Sequence, residues 1–262
     1  MNAVEIHHLH FNYPDGSPAL RGISFTIAEN ECVGLIGPNG AGKSTLLLHL
    51  NGLLPEKTPK DSSVRIFGQP AVGHNLDAIR RQVGLLFQDP DDQLFCPTVF
   101  EDVAFGPQQL GLDPSEVAAR VSESLAKVGL AGFDNRLPHH LSGGEKRRVC
   151  LAGVLACHSS ILVLDEPTSD LDPRGRREFK HLLQSLPVTK IIATHDLELV
   201  AQLCSRIIVL DAGAIVADGD AMIILADEQL MLDHGLEKPH ILQHHPPHTG
   251  HSHSRPPEHS GA

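Results

Sequence analysis

The sequence predicts an α/β fold with a mainly parallel sheet, an N-terminal antiparallel β subdomain and an inserted α-helical subdomain. Three observations carry this. Short, nearly all-apolar runs recur at "CVGLIG", "VGLLFQ", "ILVLDEP", "KIIATHD" and "RIIVLDAGAIV", alternating with helical stretches. Strands that are apolar on both faces belong to a parallel sheet covered by helices. Ahead of them, two β-like runs, "VEIHHLHFNYP" and "GISFTIAENE", are joined through the turn pair Asp15-Gly16, as in adjacent antiparallel strands. Between Gln88 and Ser160 strand signals vanish, and "SEVAARVSESLAKVGLAGF" sets apolar residues at helical spacing. The predicted division is a globular domain over 1–238, with the helical subdomain at about 88–160, and a tail over 239–262. In the tail Pro, His, Ser and Gly replace apolar residues, so it is expected to be disordered.

Composition bounds the function. The 262 residues are 41% hydrophobic and 20% charged, enough to bury a substantial core. Asp plus Glu outnumber Lys plus Arg by 32 to 21, and no basic run is long enough to neutralise a phosphate backbone, so a nucleic-acid partner is not expected. The five cysteines (Cys32, Cys96, Cys150, Cys157, Cys204) are scattered without a C-x-x-C pair, which fits a reducing compartment rather than a disulfide framework or zinc site. The first residues lack the basic flank and apolar core of a secretory signal. No apolar run approaches the ~18 residues of a spanning helix.

The chemistry begins at "GPNGAGKST", residues 37–45 (Gly37, Pro38, Asn39, Gly40, Ala41, Gly42, Lys43, Ser44, Thr45). It fits the phosphate-binding pattern G-x-x-x-x-G-K-[ST] between a strand and a helix, the signature of a P-loop NTPase core. The glycines let backbone N–H groups curl around phosphate oxygens, Lys43 reaches the β and γ phosphates, and the Ser44 hydroxyl ligates Mg²⁺. "ILVLDEP" ends a buried strand in two carboxylates: Asp165 is placed to hold Mg²⁺ through water and Glu166 to polarise an attacking water. Then "LSGGEKRRV" (Leu141, Ser142, Gly143, Gly144, Glu145 and onward) opens a second Ser-Gly-Gly helix start. Ser142 and Glu145 form an S-x-x-E capping box, but a cap does not explain the glycine pair, which is surplus unless it addresses a nucleotide held by another chain.

At this segment the chain resembles the ATP-binding cassette (ABC) ATPases, whose dimers sandwich two ATPs between one subunit's P-loop and the other's signature. The resemblance spans roughly residues 1–235, with Glu145 where the family norm is Gln. It implies a nucleotide-binding domain of that fold, ATP hydrolysis with Mg²⁺, and further site residues in family order. Tyr13 resembles the aromatic that stacks on adenine, with a strand-core role as the alternative. Gln88, in "LLFQDP", resembles the glutamine that contacts Mg²⁺ and the attacking water. Ser169, Asp170, Leu171 and Asp172 resemble the D-loop that communicates across the dimer, with Asp170 where a smaller residue is usual. His195 resembles the histidine that contacts the γ phosphate and orients the glutamate. Without spans of its own, such a cassette pairs with a separate transmembrane subunit, as a homodimer or as a heterodimer with a related ATPase, on the cytoplasmic face of a prokaryotic membrane.

"QDPDDQLFCPTVFEDVAFGPQQLGL", residues 88–112, resembles the ATPases of energy-coupling-factor importers for vitamins and for cobalt or nickel. There Leu94, Phe95, Val99, Phe100, Val103 and Phe105 offer an apolar cleft for a coupling helix, rimmed by Asp91, Asp92, Glu101 and Asp102, with core packing of the helical subdomain as the alternative and some of the apolar residues serving both. Among such importers the tail points to nickel or cobalt, since His240, His244, His245, His248, His251, His253 and His259 supply imidazoles for Ni²⁺ or Co²⁺ on an adaptable chain. The alternatives are a vitamin-importing motor and a metal-binding regulatory or storage protein whose nucleotide site is vestigial.

Overall fold

The computed structural model describes residues 1–57, 62–237 and 239. Strand β1 (Asn2–Asn12) pairs antiparallel with β2 (Pro18–Ala28), in register at Ile6↔Phe25 and Leu9↔Ile23. The turn between them is closed by Gly16 N–H donating to Tyr13 O at 2.9 Å. Next, β3 (Cys32–Ile36) runs into the glycine-rich loop and α1 (Lys43–Leu50). A short hairpin of β4 (Val64–Ile66) and β5 (Gln69–Pro70) then joins β1, giving an antiparallel sheet in the order β2-β1-β4-β5. Helix α2 (Leu76–Gln82) leads into β6 (Val83–Leu86).

Three helices follow before the next strand: α3 (Val99–Gln109), α4 (Pro114–Lys127) and α5 (Gly143–Ala156). Their apolar faces meet one another, with Val103, Val121, Leu125 and Leu151 fully buried. The helical run read over 115–133 stops at Lys127, because the chain turns through Gly129 at φ 73°, a conformation that a helix cannot continue. Alternation then resumes through β7 (Ile161–Asp165), α6 (Pro173–Ser185), β8 (Thr189–Ala193), α7 (Leu197–Leu203), β9 (Arg206–Asp211) and β10 (Ala214–Asp220). The domain closes with α8 (Ala221–Ala226) and α9 (Glu228–Asp233).

The large sheet has the order β10-β9-β3-β8-β7-β6, parallel throughout except β9–β10. That exception comes from "RIIVLDAGAIV", which folds back on itself at Ala212 and Gly213, φ 45° and 79°, the paired positive φ of a tight hairpin turn. The strand period of two feeds two cores. On β7, Ile161 and Val163 pack with the antiparallel sheet and α1, while Leu162 and Leu164 pack with the helices of the other face. Both faces are dry, and the polar strand ends at the carboxyl edge are left to line a site.

Candidate active site

A cavity of about 690 Å³ opens at the carboxyl ends of β3, β7 and β8, lined by Tyr13, the whole of Gly37–Thr45, Gln88, Asp165, Glu166 and His195. The loop over α1 is shaped by glycines that no other residue could replace. A Cβ on Gly37 (φ 150°) would lie 2.0 Å from Leu210 O, and one on Gly42 (φ 100°) 2.7 Å from Ala19 O. The loop backbone is thereby pressed against neighbouring strands and presents the N-terminus of α1 to the cavity, the positive end of the helix dipole. Lys43 is almost fully buried and donates to Gly37 O at 2.8 Å and Pro38 O at 3.1 Å. Burial holds its ammonium below the ordinary lysine value, opposed by the charges of Glu166 and Asp165.

Asp165 ends β7 and lines the cavity together with Ser44. Burial pushes this carboxyl above the ordinary aspartate value. Ser44, Asp165 and the Gln88 amide face one cavity and offer oxygen donors, the set a hard divalent cation such as Mg²⁺ prefers. The residues present therefore fit that ion.

Glu166 follows with φ 45°, a left-handed backbone that costs a β-substituted residue ~1–3 kcal/mol and persists only where its surroundings over-determine it. Here they do. Glu166 N–H donates to Ala193 O at 2.8 Å. The carboxylate accepts from Thr194 Oγ1 at 2.8 Å, from His195 N–H at 3.1 Å, and meets His195 Nδ1 at 2.9 Å. The His195 ring is 70% exposed, so one edge holds the glutamate while the rest faces the cavity. Tyr13 lies just beyond β1, 40% exposed, with its hydroxyl 2.7 Å from Thr45 Oγ1. It is no strand-core residue, and its ring is edge-on to Phe11.

The signature residues stand elsewhere. Ser142, Gly143 and Gly144 line a separate cavity of about 400 Å³ with Asp170, Leu171 and Asp172, which shares no residue with the first. The capping box forms as read: Glu145 N–H donates to Ser142 Oγ at 3.3 Å, and Ser142 N–H to Glu145 Oε2 at 2.8 Å. Hydrogen bonds from Ser142 hold the Glu145 carboxyl below its ordinary value. A Cβ on Gly143 would meet nothing within 4 Å, and one on Gly144 only Leu171 at 3.4 Å, so nothing among the described residues demands the glycine pair. Leu141 and Leu171 are buried as packing residues, and Asp172 caps α6 through Gly175 N–H.

Comparison with known proteins settles what this architecture is. The family model described as "ABC transporter" matches residues 20–169, more than half of the chain. The chain belongs to the ABC transporter ATPases. It is 53% identical over 240 residues to a Geobacter sulfurreducens protein named as an ABC transporter ATP-binding protein, covering 92% of this chain and 95% of that one. It is 49% identical over 244 residues to the energy-coupling factor transporter ATP-binding protein EcfA of Carboxydothermus hydrogenoformans, covering 92% and 89%. Among solved structures, cbiO1 from Clostridium perfringens, described as part of the ABC transporter complex cbiONQ, superposes with a TM-score of 0.77 at 35% identity, covering 92% of this chain and 98% of that one. The resemblance read from the sequence is borne out, and this cassette is an ATPase.

The residues read as a docking cleft divide between packing and open surface. Val99 and Val103 are wholly buried among the helices rather than lining an open cleft, leaving Phe95 and Phe105, 65% and 42% exposed and edge-on to each other, as the open apolar surface. Asp102 is occupied as well, accepting from the N–H groups of Phe95 and Cys96. The structure also adds residues that the sequence reading missed. Thr194 is a polar residue at the end of an otherwise apolar run, the one signal that could have found it. Gly235 and Leu236 close the nucleotide cavity from the far end of the chain, which no local pattern announces. Seven histidines, His240 through His259, lie outside the described residues. Among the described residues no group of three or more His, Cys, Asp or Glu could hold a metal ion, and no helix is long and apolar enough to cross a membrane.

Proposed function

We propose that this cassette is the ATP-hydrolysing motor of an energy-coupling-factor importer for nickel or cobalt ions, working at the cytoplasmic membrane face with a separate transmembrane subunit. One observation carries the motor reading: the P-loop cavity and the signature cavity are distinct, and no packing among the described residues calls for the glycine pair of the signature. The pair is explained if Ser142, Gly143 and Gly144 close over ATP bound to the P-loop of a second chain, whether a copy or a related ATPase. The D-loop over 169–172 borders the same cavity and would meet that chain too.

In this reading Tyr13 stacks on adenine and the backbone of residues 37–45 cradles the phosphates, with Lys43 leaving the loop carbonyls for phosphate oxygens. Ser44, Asp165 and Gln88 would hold Mg²⁺, which supplies charge neutralisation across the β and γ phosphates. Glu166 accepts the proton of the water that attacks the γ phosphorus as the bond to the ADP oxygen breaks. His195 keeps the glutamate aimed and donates toward the γ phosphate. Closure by ATP and reopening after hydrolysis would move the helices α3–α5 and whatever is docked on Phe95 and Phe105, with Asp92 beside them as a rim for basic partner residues.

The importer class is supported by the relatives named EcfA and by the cbiONQ component. The cargo reading rests on the seven tail histidines, and the domain is taken to end near residue 238. The test is accumulation of ⁶³Ni²⁺ and ⁵⁷Co²⁺ in cells co-expressing the chain with its genomic neighbours, wild type beside Lys43→Ala. Uptake of one ion that disappears in the variant supports the reading. Uptake of neither, with ATPase activity intact in the assembled complex, removes the metal cargo and puts a vitamin importer in its place.

A further inference from the structure

The signature helix α5 is laced to the segment that carries Gln88. Lys146 Nζ meets Asp91 Oδ1 at 2.6 Å, Cys150 Sγ donates to Pro90 O at 3.7 Å, and Gln93 Nε2 donates to Cys150 O at 3.5 Å. A fourth contact, Arg147 Nη1 donating to Phe87 O at 3.0 Å, belongs to a side chain of another kind. Arg147 is 2% exposed, and its second arm donates to Ser169 Oγ at 2.8 Å. The Ser169 hydroxyl in turn donates to Glu166 O at 2.9 Å.

A buried guanidinium is expensive to desolvate and is retained where its donors are all engaged; here burial holds Arg147 below the ordinary arginine value. No carboxylate among the described residues is within ion-pairing distance; the charges of Asp170, Asp89 and Asp165 favour its charged form from further away, and what it touches directly is the Phe87 carbonyl and Ser169. What it holds is a turn under strain: Glu166 and Asp170, at either end, both have positive φ, 45° and 60°. Such a turn keeps its shape only if braced from outside, and the planar fork of an arginine holds two segments in a fixed relative geometry that the flexible point charge of a lysine does not reproduce.

We propose that Arg147 is a positioning residue for ATP hydrolysis, cross-bracing the Gln88 segment and the signature helix to Ser169, and through Ser169 to the backbone that aims Glu166. Displacement of the signature helix on closure is thereby transmitted to the general base by one side chain, and not only through the nucleotide. This rests on the assignment of Glu166 as general base.

The test uses the full-length chain and its steady-state ATPase, with Arg147→Lys, Ser169→Ala, the double variant, and Glu166→Gln as control. Each single variant is expected to lower kcat by about tenfold or more while KM for ATP stays within about twofold, the signature of an interaction made in the transition state. Because both act through one contact, the double variant falls no further than the worse single. Wild-type kcat in Ser169→Ala, a change confined to KM, or losses that multiply in the double variant would overturn the brace. If Arg147→Lys does not fold, Ser169→Ala decides alone. The control separates the two claims: lost turnover in Glu166→Gln beside normal Ser169→Ala sinks only the brace, whereas retained turnover sinks the general-base assignment and the brace with it.

Discussion

Replacing Thr194 by valine removes one hydroxyl while keeping the shape of a fully buried side chain. That hydroxyl accepts from Asp196 N–H at 3.0 Å, which turns its own proton toward Glu166 Oε2 at 2.8 Å. The valine variant loses both bonds. A hydrogen bond to a charged group contributes ~1.5–3 kcal/mol, and ~1.4 kcal/mol corresponds to a tenfold rate change. Since His195 still holds the carboxylate from the other side, the lower end applies, and kcat should fall about tenfold with KM for ATP nearly unchanged. Stability should fall by ~1–3 kcal/mol, because the Asp196 N–H that starts α7 is left without its acceptor. Steady-state ATPase and thermal unfolding of Thr194→Val beside Thr194→Ser would measure both, with serine restoring most of each. Wild-type kcat in the valine variant would refute the view that Glu166 is aimed from the protein interior.

Other expectations follow from the same geometry. Glu145 is held below its ordinary value of 4.5, so its contribution to stability is present above that value and is lost as pH falls through the depressed one. Thermal unfolding of Glu145→Gln should accordingly decline less than wild type between pH 5 and 3; parallel curves would remove the charged cap from the account. Burial and Asp102 push the Cys96 thiol up to about 11. Iodoacetamide at pH 8 should therefore label Cys96 at least about tenfold more slowly than a free cysteine peptide, as read by peptide mass spectrometry, and an equal rate would contradict this. Deleting residues 239–262 should leave kcat unchanged but weaken retention on immobilised Ni²⁺ at pH 7.5. In the intact chain that retention should drop below about pH 6, where imidazoles of ordinary pKa near 6.5 are protonated and cannot ligate; equal retention of the truncated chain would deny the tail a ligating role.

The parts of this protein that were legible in the sequence are those whose signal is local. The P-loop declares itself by glycine spacing between a strand and a helix, and the Ser142 cap by a three-residue offset. The buried strands show as short apolar runs, because both of their faces are covered. What escaped depends on chain segments crossing in space. β4 and β5 are three and two residues long, too short for any periodicity. Helix α3 carries Pro107 within it, which masked the pattern, and the β9–β10 turn uses Ala212 where an Asn or Gly would have announced it. Thr194 reaches Glu166 from just beyond β8, and Arg147 reaches Ser169 from α5, contacts that become visible only once the fold brings these segments together.

The central claim is that one chain's signature completes the nucleotide site of another. Light scattering on Glu166→Gln, with and without Mg-ATP and with any co-expressed related ATPase, tests it most directly. ATP is expected to convert the mass of one chain to that of two, and Lys43→Ala in the same background to prevent it. A single-chain mass at saturating ATP, alone and with the related ATPase present, would contradict the claim.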